Sequence, residues 1–527
     1  MDESVGQHLE SNPRIGHEYT KIGSQMSAQE DQIHSHANES RSSDKPLRDP
    51  DPPVITNHEL IRETETLSYQ ASFGKLPIRN ANSEIEATLS YASYSLGSEP
   101  IGDPTRPLTI LFNGGPGSAS VWLHLGGLGP RRVKMLDDGG MPSPPFEIVN
   151  NELSWLPFTD LLFIDPVETG YSKAASTELT EKFCTVDGDL DLIGEFIRLY
   201  LSRNNRWSSP LFVGGESYGT FRAAGLAGKV AEKGIVFNGI ILISSVLDLG
   251  TLLFESGDDL PFVCYLPSFA ATAWYHNALA QDHQQKPLET YLSEVEAWTR
   301  DAYAPALMLG HTLSIEKQQE IAAQLSSYTG LPADRLMQWN LRITGGRFCN
   351  ELLRANNRIV GRLDSRHTGF DPAASTDDLA YDPSMSAIRA PFTAAFNAYV
   401  RSELGYETDD EYQILRGIPW KWGDGREGAP RTTFGLQDAF ARNPYMQLLV
   451  LSGYFDLATP YFATRYTLDR LAVDPHVRAA IQTRHYPSGH MLYIDIEMMR
   501  QSRDDVLTFI EGALGVPGKP LRPGFDS

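Results

Sequence analysis

The stretch that most restricts how this chain can fold is Pro210–Thr220, where the apolar run Leu211-Phe-Val213 leads into Gly214-Gly-Glu-Ser-Tyr-Gly219. The run reads as a strand buried on both faces. After the glycines, Phe221, Ala224, Gly228 and Ala231 recur at helical spacing, and Lys233-Gly234 is a helix stop. Between strand and helix, Gly215-x-Ser217-x-Gly219 predicts a sharp turn with the serine at its apex. Glycine on either side removes the Cβ atoms that would strike the neighbouring strand and helix. A serine so placed sits at a helix N-terminus, where a free backbone N–H faces a developing oxyanion. Ser217 is therefore the candidate nucleophile.

The rest of the chain supplies the frame. Residues 1–57 are rich in Ser, Asp, Glu, Asn and His and poor in large apolar side chains, so a disordered tail is expected. Its His8, His17, His34 and His36 read as solvated side chains rather than metal ligands. Order is expected from near Leu67. Two alternating segments, Leu67–Phe73 and Ile85–Tyr91, read as antiparallel edge strands. Leu108–Asn113, Asp160–Asp165, Phe237–Ser244 and Gln447–Ser452 read as central strands, and Ile481–Tyr486 as a last short one. Helical spacing at Leu192, Ile193, Phe196, Ile197, Tyr200 and Leu201, and again over Val506–Leu514, sets helices between and after strands. This alternation predicts an α/β fold with a mostly parallel central sheet and helices on both faces. From residue 245 to 443 the strand rhythm stops. Ile321, Leu325 and Tyr328 share a helical face there, ended by Gly330 and Pro332, so this stretch is expected to be a mainly helical cap. The core is then split into residues 58–244 and 444–527.

A serine hydroxyl needs a base within reach, and that base needs an orienting carboxylate. Asp456 follows a strand directly, and His490 lies on a loop after the last strand. In the expected mechanism Ser217 attacks a carbonyl carbon, His490 takes and returns the proton, and Asp456 fixes the imidazole tautomer. His485 lies inside a strand and Asp469 inside a helix, so both are set aside. Asp165 precedes Pro166 and comes before the elbow, and is set aside as well.

The net charge of −22 argues against nucleic acid and anionic membrane surfaces as partners. No apolar run is long enough to span a bilayer. Three scattered cysteines, Cys184, Cys264 and Cys349, predict neither a disulfide framework nor a metal cluster. No cofactor and no metal is expected. Met1-Asp-Glu-Ser4 lacks the basic start and apolar core of a secretory signal, so the sequence as it stands predicts the cytoplasm.

Together these motifs resemble the serine carboxypeptidases, a branch of the α/β-hydrolases. The resemblance rests on Asn113-Gly-Gly-Pro-Gly-Ser118 running on to Leu128-Gly-Pro130, on Asn151–Trp155 with Asp165–Ser172, on Gly215–Gly219, and on Ser452–Asp456 with Gly489-His-Met491. The order Ser217, Asp456, His490 is that of α/β-hydrolases. The form Asp456-Leu-Ala-Thr-Pro-Tyr and the long insertion resemble bacterial-type members. The resemblance implies an α/β-hydrolase fold and removal of one amino acid from peptide or protein C-termini. It implies an oxyanion hole from the N–H groups of Gly115 and Tyr218, and binding of the substrate carboxylate by Asn113, Gly114 and Glu216. It also points to a homodimer and to secretion or an acidic compartment. A protonated Glu216 can donate to a carboxylate that an ionised one repels, so peptidase activity is expected to favour acidic pH.

One position departs from the family. Where well-studied members carry a second glutamate before Leu-Gly-Pro, this chain has Gly127, and Ser118 replaces a cysteine. An esterase or acyltransferase of the same fold, or a binding protein with a vestigial site, therefore stay open as alternatives.

Overall fold

The computed structural model describes residues 47–97, 103–372, 380–423 and 428–515. The strands of its large sheet are β1 (Val54–Ile61), β2 (Thr66–Arg79), β3 (Ile85–Leu96), β4 (Leu108–Phe112), β5 (Asp160–Ile164), β6 (Leu211–Ser217), β7 (Gly239–Ser245), β8 (Gln447–Gly453) and β9 (Ile481–Tyr486). Their spatial order is β1-β2-β3-β5-β4-β6-β7-β8-β9, with the short strand Lys173–Ala174 added on β3. The six strands from β5 to β9 run parallel, and β1 to β3 join antiparallel at one edge. With the strand that carries Ser217 central and its crossovers helical, this is an α/β-hydrolase fold.

Helix α1 (Val186–Arg203) precedes β6 and α2 (Tyr218–Ala231) follows it. The insertion carries α3 (Leu260–Tyr275), α4 (Leu288–Trp298), α5 (Ile315–Thr329), α6 (Pro383–Ser402) and α7 (Thr433–Arg442). Helix α8 (Tyr461–Asp469) follows β8, and α9 (Ile496–Ala513) follows β9. Successive residues of a strand face opposite sides. Ile240 and Leu242 thus meet Phe196, Ala224 and Phe440 from α1, α2 and α7 on one face. Ile241 and Ile243 face the other side, with Phe392, Phe396 and Phe509 from α6 and α9. Cover on both sides is why the central strands are apolar throughout.

Two expectations change. Order begins earlier than Leu67: β1 pairs with β2 from Val54, and its Leu60 is fully buried in the core. Alternating single apolar residues in β1 made a weak signal that edge pairing overrides. Residues 1–46, with the expected tail histidines, lie outside the described residues. The span 245–443 is also not one unit. Its α6 and α7 belong to the two helical layers of the sheet. The separate cap core spans α3, α4 and α5 with Phe348 and Val360, and seats on Tyr218, Phe221, Val246, Phe455 and Tyr461 at the C-terminal edge of the sheet. Helical periodicity shows that a face is buried, not against which core.

Candidate active site

Strand β6 delivers Ser217 at the elbow with φ 60° and ψ −132°, a region that L-residues avoid. The turn closes only because glycines flank it. A Cβ on Gly215 would lie 2.1 Å from the Gly219 carbonyl oxygen, and one on Gly219 would lie 2.4 Å from that of Phe112. Helix α2 starts at Tyr218, so its first N–H groups have no intrahelical acceptor. The loop after β4 comes against that end. A Cβ on Gly114 would stand 2.4 Å from the Tyr218 nitrogen, so only bare backbone fits, and Gly115 holds φ 98°. Gly115 and Tyr218 line the same cavity as Ser217.

Asp456 and His490 come from the loops after β8 and β9. His490 Nδ1 is 2.7 Å from Asp456 Oδ2, and both groups are buried. Asp456 is held by its own turn: Oδ1 accepts the backbone N–H groups of Ala458 (2.7 Å) and Thr459 (2.9 Å). The Thr459 hydroxyl sits 2.7 Å from Asp456 Oδ2 and 2.9 Å from the Ser244 carbonyl oxygen. The backbone of His490 is pinned from two sides. Its N–H donates to Leu363 of the insertion at 2.7 Å, and its carbonyl accepts the Ser244 hydroxyl at 2.6 Å. Burial works against charge on both partners. Attraction between them outweighs it, leaving Asp456 below the usual carboxylate range. His490 lies above the usual imidazole range, with Glu216 adding to the effect of Asp456.

Ser217, His490 and Glu216 line one cavity of 330 Å³, together with Trp122, Trp420 and Trp422. Among the described residues no hydrogen bond joins the Ser217 hydroxyl to the imidazole; His490 Nε2 instead lies 3.7 Å from Glu216 Oε1. Such contacts often close only when substrate fills the site. Glu216 accepts from Asn113 Nδ2 at 2.8 Å through Oε2 and from the Tyr493 hydroxyl at 3.1 Å through Oε1. Its pKa is raised, chiefly by burial. Asn113 is itself fixed, since its Oδ1 accepts the Leu123 N–H at 3.0 Å and its carbonyl accepts from Arg222 at 2.8 Å.

All the residues singled out from sequence, Asn113, Gly114, Gly115, Glu216, Ser217, Tyr218, Asp456 and His490, therefore gather at one edge of the sheet. The rivals do not join them. His485 is stacked on Tyr454 within β9, and burial pushes its imidazole down to about 4. Asp469 is exposed at the end of α8. Asp165 is buried under Ser90, Ser120 and Tyr412, and burial raises it to about 6. Sequence reasoning missed Thr459, Tyr493 and the insertion residues Arg362, Leu363 and Arg389. Only Thr459 had a local signal, the turn-forming Asp456-Leu-Ala-Thr459.

Among the described residues no group of three or more His, Cys, Asp or Glu could hold a metal ion. All three cysteines are free and buried. No described helix is long and apolar enough to cross a membrane.

A family model described as serine carboxypeptidase matches residues 84–294, which include the glycine loop and the elbow. Serine carboxypeptidase 24 of Arabidopsis thaliana is 22% identical over 400 residues, 73% of this chain and 72% of that protein. A pheromone-processing carboxypeptidase of Saccharomyces cerevisiae is 36% identical over 107 residues, 20% of this chain and 13% of that protein. A solved structure of a peroxisomal α/β-hydrolase from Saccharomyces cerevisiae aligns over 88% of this chain and 93% of its own at 11% identity and a TM-score of 0.32. At that score the fold assignment rests on strand order instead. These matches lend no support to a narrower likeness to bacterial-type members. Residues 84–294, with the glycine loop and the elbow, match the serine carboxypeptidase family, on a chain with an α/β-hydrolase fold.

Proposed function

We propose that the protein is a serine-type carboxypeptidase that hydrolyses the last peptide bond of chains ending in a free carboxylate. One observation carries the reading: the 2.7 Å Asp456–His490 pair opens onto the cavity that also holds Ser217 and Glu216. Ser217 Oγ attacks the scissile carbonyl carbon as His490 takes its proton, and Asp456 keeps the other imidazole proton on Nδ1. The N–H groups of Gly115 and Tyr218 receive the oxyanion. His490 then protonates the departing amine nitrogen, the C–N bond breaks, and the acyl group remains on Ser217. Water, deprotonated by His490, releases the acid and restores the serine. On the leaving side, the Asn113 amide, the Gly114 N–H and a protonated Glu216 bind the terminal carboxylate.

An esterase or acyltransferase reading is favoured by one feature, the lack of a carboxyl group at position 127. Release of amino acids from N-blocked dipeptides, compared with turnover of p-nitrophenyl esters from pH ~4 to ~8, separates the two. Ester turnover without amino-acid release at any pH would overturn the peptidase reading. A fluorophosphonate probe should label the wild type and not Ser217→Ala; equal labelling would remove Ser217 as nucleophile.

A further inference from the structure

We propose that Tyr493 is a positioning residue of this site: its hydroxyl aims the Glu216 carboxyl at the leaving residue and so sets the preference for substrates with a free terminal carboxylate. The inference rests on the carboxypeptidase reading above and adds to it a group that no motif marked.

Three observations converge on it. The first is contact. The Tyr493 hydroxyl lies 3.1 Å from Glu216 Oε1, the same oxygen that lies 3.7 Å from His490 Nε2. The second is space. The chain bulges into a π-helical turn over His124–Leu128, and Gly126 and Gly127 sit in it. A Cβ on Gly126 would lie 2.6 Å from the Tyr493 ring, and one on Gly127 would lie 2.5 Å from the Tyr493 carbonyl oxygen. The two glycines are thus the slot through which Tyr493 reaches Glu216. Asn151 holds the slot open, its Nδ2 donating to the carbonyls of Gly127 (2.6 Å) and Gly129 (2.7 Å). The third is chemistry. Tyr493 is 1% exposed, and burial keeps its phenol far above its ordinary range, so it stays a neutral donor whenever the protein is folded.

The consequence is a division of labour at Glu216. Asn113 fixes one carboxyl oxygen and Tyr493 the other, which leaves the group little freedom to swing toward the imidazole. The titratable groups facing Glu216 are His490, Tyr493 and, at longer range, Asp456. A phenol donor favours the ionised carboxyl. Removing it raises the pH at which Glu216 gives up its proton.

The test uses the full chain with Tyr493→Phe, which keeps the ring in its slot and deletes only the hydroxyl. Active sites are counted with a fluorophosphonate. KM and kcat are then measured for an N-blocked dipeptide and for the amide of the same dipeptide, across pH. The expected result is a KM raised about tenfold for the free-carboxylate substrate at acidic pH, with kcat and the amide substrate nearly unchanged. The alkaline rise of that KM moves to higher pH. Gly127→Ala, which pushes on Tyr493 from the other side, should reproduce the selective KM loss. If the wild type releases amino acids but Tyr493→Phe keeps the same carboxylate-to-amide ratio, or lowers both substrates equally, the role assigned to Tyr493 is wrong while the peptidase reading stands. If the wild type itself releases none, both fall together.

Discussion

His490 Nε2 lies 3.7 Å from Glu216 Oε1, on the opposite edge of the ring from Asp456. The imidazole therefore sits between two buried carboxyl groups, Asp456 at Nδ1 and Glu216 facing Nε2. This arrangement couples the proton on the base to the proton on the group proposed to read the substrate terminus.

Glu216→Gln should shift the pH profile in a defined direction. Asp456 and Glu216 both hold the His490 pKa above the ordinary range against burial. The base works only when neutral, so its acid limb lies higher than that of a free imidazole. Removing the Glu216 charge takes away one of the two raising influences, and the limb moves to lower pH. Ester hydrolysis measured against pH reads this directly, and a limb that stays put or rises contradicts the coupling. Peptide KM in the same variant should lose its alkaline rise, because the glutamine amide donates at every pH.

Asp456→Asn should lower kcat by about 10⁴, because the amide cannot hold the Nδ1–H tautomer, and Ser217→Ala by more. Steady-state ester turnover with active-site titration checks both. A loss under tenfold for Asp456→Asn would mean that another acceptor orients His490.

The strain at the elbow has a measurable sign. Ser217 holds φ 60° and ψ −132°, which glycine adopts freely and alanine does not. Ser217→Gly and Ser217→Ala should both be inactive. The glycine variant should nevertheless be the more stable by about 1 kcal/mol, the relief of strain exceeding the entropy glycine adds to the unfolded chain. Denaturant unfolding of the pair decides it, and equal stabilities would show that the conformation stores nothing.

Beneath the site, Arg222 Nε meets Asp189 Oδ2 at 2.7 Å with both side chains 1% exposed, and the same guanidinium holds the Asn113 carbonyl. Arg222→Met should cost about 3–5 kcal/mol, because it strands a buried carboxyl. Adding Asp189→Leu should recover most of that loss. A single variant within 1 kcal/mol of wild type by urea unfolding would show that water or a neighbour satisfies Asp189.

How far the residues alone carried the argument differs by element. The elbow was legible because its cause is local: an apolar strand, two glycines that leave no Cβ to clash, and a helix-forming run follow one another within about 20 residues. Asp456 and His490 were legible for a similar reason, each standing on a loop just past a strand. The first strand was not, because pairing with β2 and the burial of Leu60 stabilise it rather than its own pattern.

By itself, then, the sequence determined the parallel α/β core, the serine at its turn and the candidate acid and base that follow it, since these depend on spacing along the chain. Only the tertiary structure decided that α6 and α7 serve the sheet rather than the cap. It also brought Leu363 of the insertion to the backbone of His490, and Tyr493 to Glu216 through the gap left by Gly126 and Gly127. Tyr493 and Glu216 are 277 residues apart. What joins them is the shape of the packed interior, which no local pattern encodes.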